Sequence, residues 1–296
     1  MKILVVGHCS FDVVHRPDGS EVESPGGILR ALTTLASVVS RQDRVIPIFG
    51  VHRKDQQPLL DLLRQYPAID TSGIYPLDTP THRVHYYEQE SGNRVVCVKD
   101  FAPPIPFERI RKSLDVDGVL VNMISGVDIT LQTMDEIRMA VRGDSVRMHL
   151  DLHNLTLGVG KDHERVRRPV TEWRRWAFMV DTVQANEDEI GGVAIEPLTE
   201  QQTAGHFLTL GVKGLIVTRG GKGATVYYNV HKKVIRKDVP PVETESAPDV
   251  PGSGDVFGAA FFAQYLKTTD LLGSVEWANK TAGEVIRLEA PDDSQA

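Results

Sequence analysis

Short apolar runs alternate along the chain with longer stretches of helical periodicity, and this alternation limits the possible folds more than any other feature. The runs are rich in β-branched residues and have no polar face, which requires burial on both sides. Strands of that kind, separated by helices, predict an α/β fold with a doubly wound, mostly parallel sheet and helices on both faces. The predicted strands are 3–6, 45–49, 118–122, 147–151, 182–185 and 214–218, and the predicted helices are 29–39, 57–65, 131–141, 201–210, 256–266 and 271–287.

Segments 13–23 and 81–98 break this alternation. Each reads as short alternating strands with a turn, at Pro17-Asp18-Gly19 in the first and at Ser91-Gly92-Asn93 in the second. Such antiparallel ribbons predict a small β lid over the site. We therefore expect a single domain, residues 1–296, with lid strands inserted at about 13–24 and 80–101. Exposed lid strands could pair between subunits or stay apart through their own charges.

Composition narrows the classes of partner. The chain has 296 residues and a formal net charge of -7, which does not favour a nucleic-acid or polybasic membrane surface, so we expect a small-molecule ligand. Only Cys9 and Cys97 are present, which excludes a disulfide framework and a four-cysteine zinc site and fits a reducing cytoplasm. No apolar run reaches the ~18 residues that span a bilayer.

The strongest chemical signal is the segment Asp249-Val250-Pro251-Gly252-Ser253-Gly254-Asp255, which runs into the predicted helix 256–266. Its glycines let several N–H groups converge on one anion at the start of that helix. A carboxylate beside such an anion trap is repelled unless a proton is being moved, so Asp255 is predicted to be a general base. The alternative is an ordinary glycine-rich helix N-terminus that Asp255 caps.

Two further motifs each allow a functional and a structural interpretation. The glycine-rich turn Thr218-Arg219-Gly220-Gly221-Lys222-Gly223 could approach a nucleotide closely, or it could use glycine only to form a hairpin. The tetrapeptide Asn186-Glu187-Asp188-Glu189 follows a predicted strand at an edge where α/β sheets bind ligands. It could order water around Mg²⁺, or it could complement the dipole of the helix that it opens.

The remaining candidates also leave predicted strands or open helices. Asp12 follows the first strand and can accept two hydrogen bonds from a ligand rich in hydroxyls, whereas His8 and Cys9 are interpreted as packing residues. Asp151-Leu152-His153-Asn154 ends another strand, so that His153 or Asn154 could touch the ligand or Asp151 could cap a loop. The arginines at 165, 167, 168, 174 and 175, interleaved with Trp173 and Trp176, are interpreted as a solvated helix face rather than a phosphate site.

In this order, these motifs resemble the ribokinase-like, or PfkB, family of carbohydrate and nucleoside kinases. The resemblance covers nearly the whole chain, and its most specific element is the pattern D-[TV]-x-G-[AS]-G-D, which Asp249 to Asp255 matches in spacing and in the helix that follows. The other elements are weak singly and specific in combination. The resemblance implies a phosphotransferase that uses ATP and Mg²⁺ and acts on an alcohol group.

The resemblance also implies roles for single residues. Asp255 would be the catalytic base and Gly252, Ser253 and Gly254 the anion hole, while Asn186 and Glu189 would position Mg²⁺, through water, and the phosphates. The remaining matches are Thr218, Gly220 and Gly223 in the nucleotide loop, Asn279 beside the adenine, Asp12, Gly26, Gly27 and His153 on the acceptor side, and Asp249 near a monovalent-cation (K⁺) site that some members have. Some members dimerise through the lid.

Three departures from the family pattern concern the acceptor and the cation. The family often places an asparagine four residues after Gly27, but this chain has Ala31. The family's D-x-N-x-R is here Asp151-Leu152-His153-Asn154-Leu155, so the arginine is absent, and Arg167 or Arg168 could compensate. Pro251 keeps its carbonyl, which leaves K⁺ binding open.

The sequence therefore predicts an ATP-dependent kinase that transfers the γ-phosphoryl group to a hydroxyl of a sugar or related small molecule. The alternatives are a nucleoside (adenosine-like) kinase and a non-catalytic sugar or nucleoside sensor on the same fold. A dehydrogenase is disfavoured, because Gly7-His8-Cys9-Ser10 follows the first strand and no G-x-G-x-x-G fingerprint is present there. The identity of the acceptor is not encoded in these motifs.

Overall fold

The computed structural model describes residues 1–89, 94–143, 145–241 and 252–289. Within them the strands are β1 (Lys2–Val6), β2 (Cys9–His15), β3 (Glu21–Gly27), β4 (Arg44–His52), β5 (Ile74–Leu77), β6 (His82–Glu88), β7 (Arg94–Asp100), β8 (Gly118–Asn122), β9 (Arg147–Asp151), β10 (Leu157–Val159), β11 (Arg165–Arg167), β12 (Thr182–Asn186), β13 (Gly214–Thr218), β14 (Ala224–Val230) and β15 (Lys233–Val239). The helices are α1 (Leu29–Val38), α2 (Arg53–Leu63), α3 (Phe107–Ile110), α4 (Leu131–Ala140), α5 (Trp173–Phe178), α6 (Glu187–Gly192), α7 (Glu200–Thr209), α8 (Ser253–Thr268) and α9 (Leu271–Glu289).

A nine-stranded sheet forms the centre of the described structure, in the order β15-β14-β13-β12-β9-β8-β1-β4-β5. Neighbours from β5 to β13 pair in parallel, and β14 and β15 add antiparallel strands at one edge. The central strands are apolar because helices cover both faces, and all five residues of β8 are buried. The predicted doubly wound, mostly parallel sheet is confirmed.

A separate four-stranded sheet, in the order β3-β2-β6-β7, contains the two segments that broke the alternation. The antiparallel pairs β2/β3 and β6/β7 are the two predicted ribbons, and a parallel pairing of β2 with β6 joins them. This pairing places Ser10 opposite His82. Because the two segments are far apart in sequence, no local pattern predicts it. The predicted turn 91–93 lies outside the described residues.

Helix α5 corrects one sequence interpretation. Trp173 is 2 % exposed and stacks on Phe207 of α7 with ring centroids 5.0 Å apart, and Trp176 is also buried. The interpretation of this stretch as a solvated helix face was therefore wrong for the indoles, because they pack inward while Arg174 and Arg175 remain about half exposed. The described helices include none that is long and apolar enough to cross a membrane.

Candidate active site

A cavity of about 440 Å³ lies between the four-stranded sheet and the central sheet. Its wall contains eight of the residues to which the family resemblance assigns a role, drawn from six separate elements or loops: Asp12, Gly26, Gly27, His153, Asn186, Glu189, Gly252 and Asp255. The fold therefore brings together side chains that lie up to 243 positions apart, from Asp12 to Asp255. Such a concave, partly polar site is the expected place for a small ligand.

Asp255 lies in the first turn of α8 and is 5 % exposed at the cavity wall. Asn122, the last residue of β8, donates from Nδ2 to Oδ1 of Asp255 over 2.7 Å, which fixes the orientation of the carboxylate. Gly252 is the N-cap residue of this helix, with φ +84°, and has no side chain that could cap it. Asp255 is therefore not the N-cap residue, because it lies further on, in the first turn of the helix.

Asp151 and His153 lie beside Asp255. One oxygen of each aspartate and one imidazole nitrogen lie within 4.8 Å of one another, a spacing that would also suit a metal ion. Burial raises the pKa of Asp151 well above its usual value, and nearby Glu189 and Asp255 raise it further. Burial alone would lower the pKa of His153, but Asp255, Asp151 and Glu189 raise it, so this imidazole favours the protonated form among carboxylates.

Asp12 and the two glycines form the opposite wall. A Cβ atom on Gly26 would lie 2.5 Å from Oδ2 of Asp12, so only glycine leaves room for the carboxylate. Gly27 has φ +63°, and a Cβ atom there would lie 2.8 Å from the carbonyl oxygen of His8. Burial raises the pKa of Asp12, whereas the hydroxyl of Ser10 and the charge of Arg30 lower it. The chain thus uses two glycines to bring one carboxylate into the cavity.

Asn186 and Glu189 combine both interpretations of their tetrapeptide. They form a capping box at the start of α6, in which Glu189 N donates to Asn186 Oδ1 and Asn186 N donates to Glu189 Oε2, each over 2.8 Å. Both residues also line the cavity. Burial raises the pKa of Glu189, while the positive charge of His153 lowers it. The structural role is therefore present and leaves the carboxylate at the ligand-binding side of the helix.

The other predicted residues lie outside the cavity lining. Ser253 and Gly254 belong to the first turn of α8, where Gly254 O accepts a hydrogen bond from Gln184. Thr218 begins, and Gly220 and Gly223 continue, the turn that joins the antiparallel strands β13 and β14, as the hairpin interpretation requires. Asp249 lies outside the described residues.

The hairpin and α9 nevertheless meet at one place. Gly223 has φ +87° and packs against Val239 and Pro241 so closely that a Cβ atom would overlap their backbone. Asn279 donates from Nδ2 to the carbonyl oxygen of Pro240 over 3.1 Å and to that of Val239 over 3.4 Å. The glycine loop and Asn279, which the family resemblance assigns to the nucleotide, therefore share a wall formed by the end of β15.

The structure also identifies side chains that the motifs missed. Arg30 and Tyr86 line the cavity. Arg165 and Arg167 line it too, so the interpretation of these two arginines as part of a solvated helix face was wrong, because they belong to strand β11. Arg165 donates from Nη1 to Ser125 O over 2.9 Å, whereas Arg168, which the sequence offered beside Arg167, donates to Leu157 O and lies outside the lining. His8 and Cys9 are buried, as expected of packing residues. Sequence order gave no signal for Tyr86, because β6 reaches the cavity only through tertiary pairing.

Comparisons with known proteins agree with the fold. A cytidine kinase from Thermococcus kodakarensis is 25% identical over 294 residues, which cover 97% of this chain and 96% of that protein. A pyrophosphate-dependent kinase of the ribokinase family, solved as a sulfate complex, superposes with a TM-score of 0.75 at 16% identity and covers 97% and 95% of the two chains. Ribokinase from Arabidopsis thaliana, complexed with ribose and ATP, superposes with a TM-score of 0.71 at 17% identity and covers 97% and 93%.

The fold is ribokinase-like, and the family match and the kinase relative support a phosphotransferase whose acceptor is an alcohol group. Residues 167–295 match the model of the pfkB family carbohydrate kinases, the family that the sequence motifs resemble. Relatives of this class act on sugars or nucleosides.

Proposed function

We propose that the protein is an ATP-dependent kinase that transfers the γ-phosphoryl group to a hydroxyl of a sugar or related small molecule, with Asp255 as general base. The position of Asp255 carries this proposal. Its carboxylate is at the cavity wall, is oriented by Asn122, and belongs to the first turn of a helix whose N-cap residue is Gly252. A base has to be within hydrogen-bond reach of the proton that it removes, and this position provides that reach.

The chemistry follows from these neighbours. Asp255 takes the proton of the acceptor hydroxyl while that oxygen attacks the γ-phosphorus, and the bond to the β–γ bridging oxygen breaks so that ADP leaves. The N–H groups of Ser253, Gly254 and Asp255 have no intrahelical acceptor and would hold the negative charge of the transferring group. Phosphoryl transfer depends mainly on positioning and charge stabilisation, which this constellation supplies.

We propose ATP as the donor. The wall shared by the loop Thr218–Gly223 and Asn279 supports a nucleotide site, as does the ATP complex of the Arabidopsis ribokinase. Pyrophosphate is the alternative donor for the experiment below, because the structural relative solved as a sulfate complex is a pyrophosphate-dependent kinase.

Glu189 suits Mg²⁺ that is held through water. Its two carboxylate oxygens already accept hydrogen bonds from the backbone N–H and the amide of Asn186, yet the residue still lines the cavity. A carboxylate engaged in this way can orient the water shell that Mg²⁺ retains. When bound, the ion would neutralise the charge of the donor phosphates. A K⁺ site near Asp249 remains part of the proposal, on residues outside the described ones.

For the acceptor, Asp12, Gly26, Gly27 and His153 form the side that would bind hydroxyl groups. A nucleoside is the second candidate acceptor, because Tyr86 and apolar side chains of the four-stranded sheet form a wall that suits a nucleobase. The similarity to a cytidine kinase also favours it. A sugar without a base would leave that wall in contact with water.

We further propose that the whole chain acts as one domain whose four-stranded sheet closes as a lid over the cavity. The lid supplies Asp12, Gly26 and Tyr86 to the wall, so that it can close only around an acceptor that it contacts. Strand β3 is exposed along most of its length at the edge of this sheet, which supports a homodimer formed through the lid.

The decisive experiment compares Asp255→Asn with the matched control Asp188→Asn, an exposed acid on α6 that lies outside the cavity lining. ADP or phosphate release is measured with ATP or pyrophosphate against a panel of sugars and nucleosides. We expect Asp255→Asn to lose on the order of 10³-fold or more in kcat with little change in stability, because an amide fills the same space and cannot accept the proton. The control should retain its activity.

Two outcomes would contradict the proposal. A near-normal kcat in Asp255→Asn would show that Asp255 is not the general base. Ligand-induced stabilisation of the wild-type protein without turnover of any acceptor, with either donor, would favour the non-catalytic sensor.

A further inference from the structure

The cavity presents a charge problem to an incoming phosphate donor. Asp12, Glu189 and Asp255 line it, and Asp151 lies directly behind Asp255. Carboxylates at such distances repel the phosphates whose transfer the site is built for. The family pattern would place an arginine at position 155, but Leu155 is there and is buried. A further cation in the wall, in addition to the protonated His153 and the proposed Mg²⁺, would offset this repulsion at the phosphoryl group.

Arg30 is that cation by position. It lies in the first turn of α1, which packs against α8, and it lines the cavity together with Gly252 and Asp255. A Cβ atom on Gly252 would overlap Cδ of Arg30 and would lie 2.6 Å from its Nε. The glycine at the start of α8 therefore provides the room in which the guanidinium stem lies. Arg30 also acts electrostatically on Asp12, whose pKa burial raises and Arg30 lowers.

The other arginines near the cavity are directed elsewhere. Arg167 donates to Asp188 over 2.9 Å, Arg168 donates to Leu157 O over 3.2 Å, and Arg165 donates to Ser125 O over 2.9 Å. The first two are the residues that the sequence offered as substitutes for the missing arginine. Among the described arginines that line the cavity, Arg30 is the one packed against the helix start at Gly252.

We infer that Arg30 contacts the transferring phosphoryl group at the start of α8 and is a catalytic residue of this chain. The inference rests on the proposed function, because it requires a phosphate donor at that helix end. The planar guanidinium can bind two phosphate oxygens at once, whereas the N–H groups of α8 bind the group from the other side. Because the charge on the phosphoryl oxygens is spread widely in the loose transition state, a fixed cation at this place lowers the barrier.

The test uses Arg30→Gln and Arg30→Lys, with Arg168→Gln as the matched control outside the cavity lining. With the acceptor identified in the panel, we expect Arg30→Gln to lose on the order of 10²-fold in kcat while the KM of the acceptor changes little. Arg30→Lys should recover part of this loss, because it restores the charge without the planar fork. Arg168→Gln should keep the wild-type kcat.

Chemical rescue separates a catalytic role from a structural one. Added guanidinium chloride, well below denaturing concentration, should raise the kcat of Arg30→Ala several-fold and leave the control unaffected. A residue that only positions α1 against α8 would not be rescued by a free ion. Absence of rescue, or an Arg30→Gln variant with wild-type kcat, would overturn the inference.

A second measurement distinguishes failure of this inference from failure of the proposed function. Binding of inorganic pyrophosphate in the presence of Mg²⁺, without acceptor, should weaken by about tenfold or more in Arg30→Gln and remain unchanged in Arg168→Gln. If the wild-type protein turns over an acceptor but pyrophosphate binding is the same in all variants, the role of Arg30 is wrong and the kinase stands. If the wild-type protein turns over nothing, the proposed function fails instead.

Discussion

At the scale of single residues, His82 should make the free energy of unfolding depend on pH in the acid range. It is fully buried in β6, and the described residues offer no hydrogen-bond partner to either ring nitrogen. Burial, reinforced by His8, lowers the pKa of His82 to about 3, so the folded protein holds it neutral. The unfolded chain binds a proton there below pH ~6.5, so the free energy of unfolding should fall as the pH drops from ~6.5 toward 3, by about 1.4 kcal/mol per pH unit for this proton.

The variant His82→Leu should remove that proton and flatten the pH dependence by the corresponding slope. It also removes two buried polar atoms without partners, so we expect equal or higher stability at pH 5. Urea unfolding at a series of pH values between 4.5 and 7 measures both effects. A variant with the wild-type slope would show that His82 is not the group that binds the proton.

Single residues of the cavity also show which parts of the site can be predicted from the sequence. Asp12 and Asp255 were predicted at the cavity because each follows a local motif that ends at a sheet edge or opens a helix. Arg30 and Asn122 were not, because their roles arise from contacts between α1 and α8 and between β8 and α8. A motif carries information only about residues that are close in sequence, whereas Arg30 and Asn122 contact residues of α8 that are distant in sequence.

At the scale of elements, two capping boxes offer a matched comparison. Asn186 and Glu189 cap α6 at the cavity wall, and Thr199 and Gln202 cap α7 outside the cavity lining. Glu189→Ala and Gln202→Ala should each cost about 1 kcal/mol of stability, since each loses the hydrogen bond that the N3 side chain accepts from the backbone N–H of the N-cap residue. Only Glu189→Ala should also raise the Mg²⁺ concentration for half-maximal activity, by about tenfold or more, because it loses the carboxylate that orients the hydrated ion.

Thermal unfolding and Mg²⁺ titrations of activity separate the two effects. An unchanged Mg²⁺ requirement in Glu189→Ala would leave the capping box as a structural feature alone.

Sequence periodicity predicted α6 and α7 only in part. Helix α7 followed from its apolar spacing, whereas α6 is a single short helix whose capping residues were also a candidate metal motif. The ambiguity was real, because capping and metal chemistry use the same residue types.

At the scale of the whole molecule, the alternation of apolar runs was sufficient to predict the mostly parallel sheet and its strands β1, β4, β8, β9, β12 and β13, because buried parallel strands can satisfy that pattern in few other ways. The lid could be predicted only as two ribbons. Their union through the β2/β6 pairing joins segments about seventy residues apart, and it places Asp12 opposite Val84 at the cavity wall. That long-range pairing is what makes one surface of the lid an acceptor-binding wall.

The lid should therefore respond to the acceptor as a unit. On addition of the acceptor found in the panel, we expect amide hydrogen exchange to slow across both β2 and β6, because a ligand bound between Asp12 and the central sheet stabilises the closed arrangement. Strand β13, in the central sheet and away from the cavity lining, should exchange at an unchanged rate. Asp12→Asn, which weakens the hydrogen bonds to acceptor hydroxyls, should reduce the protection at equal acceptor concentration. If acceptor turnover is normal while β2 and β6 exchange as they do in the free protein, the four-stranded sheet is a fixed wall and not a lid.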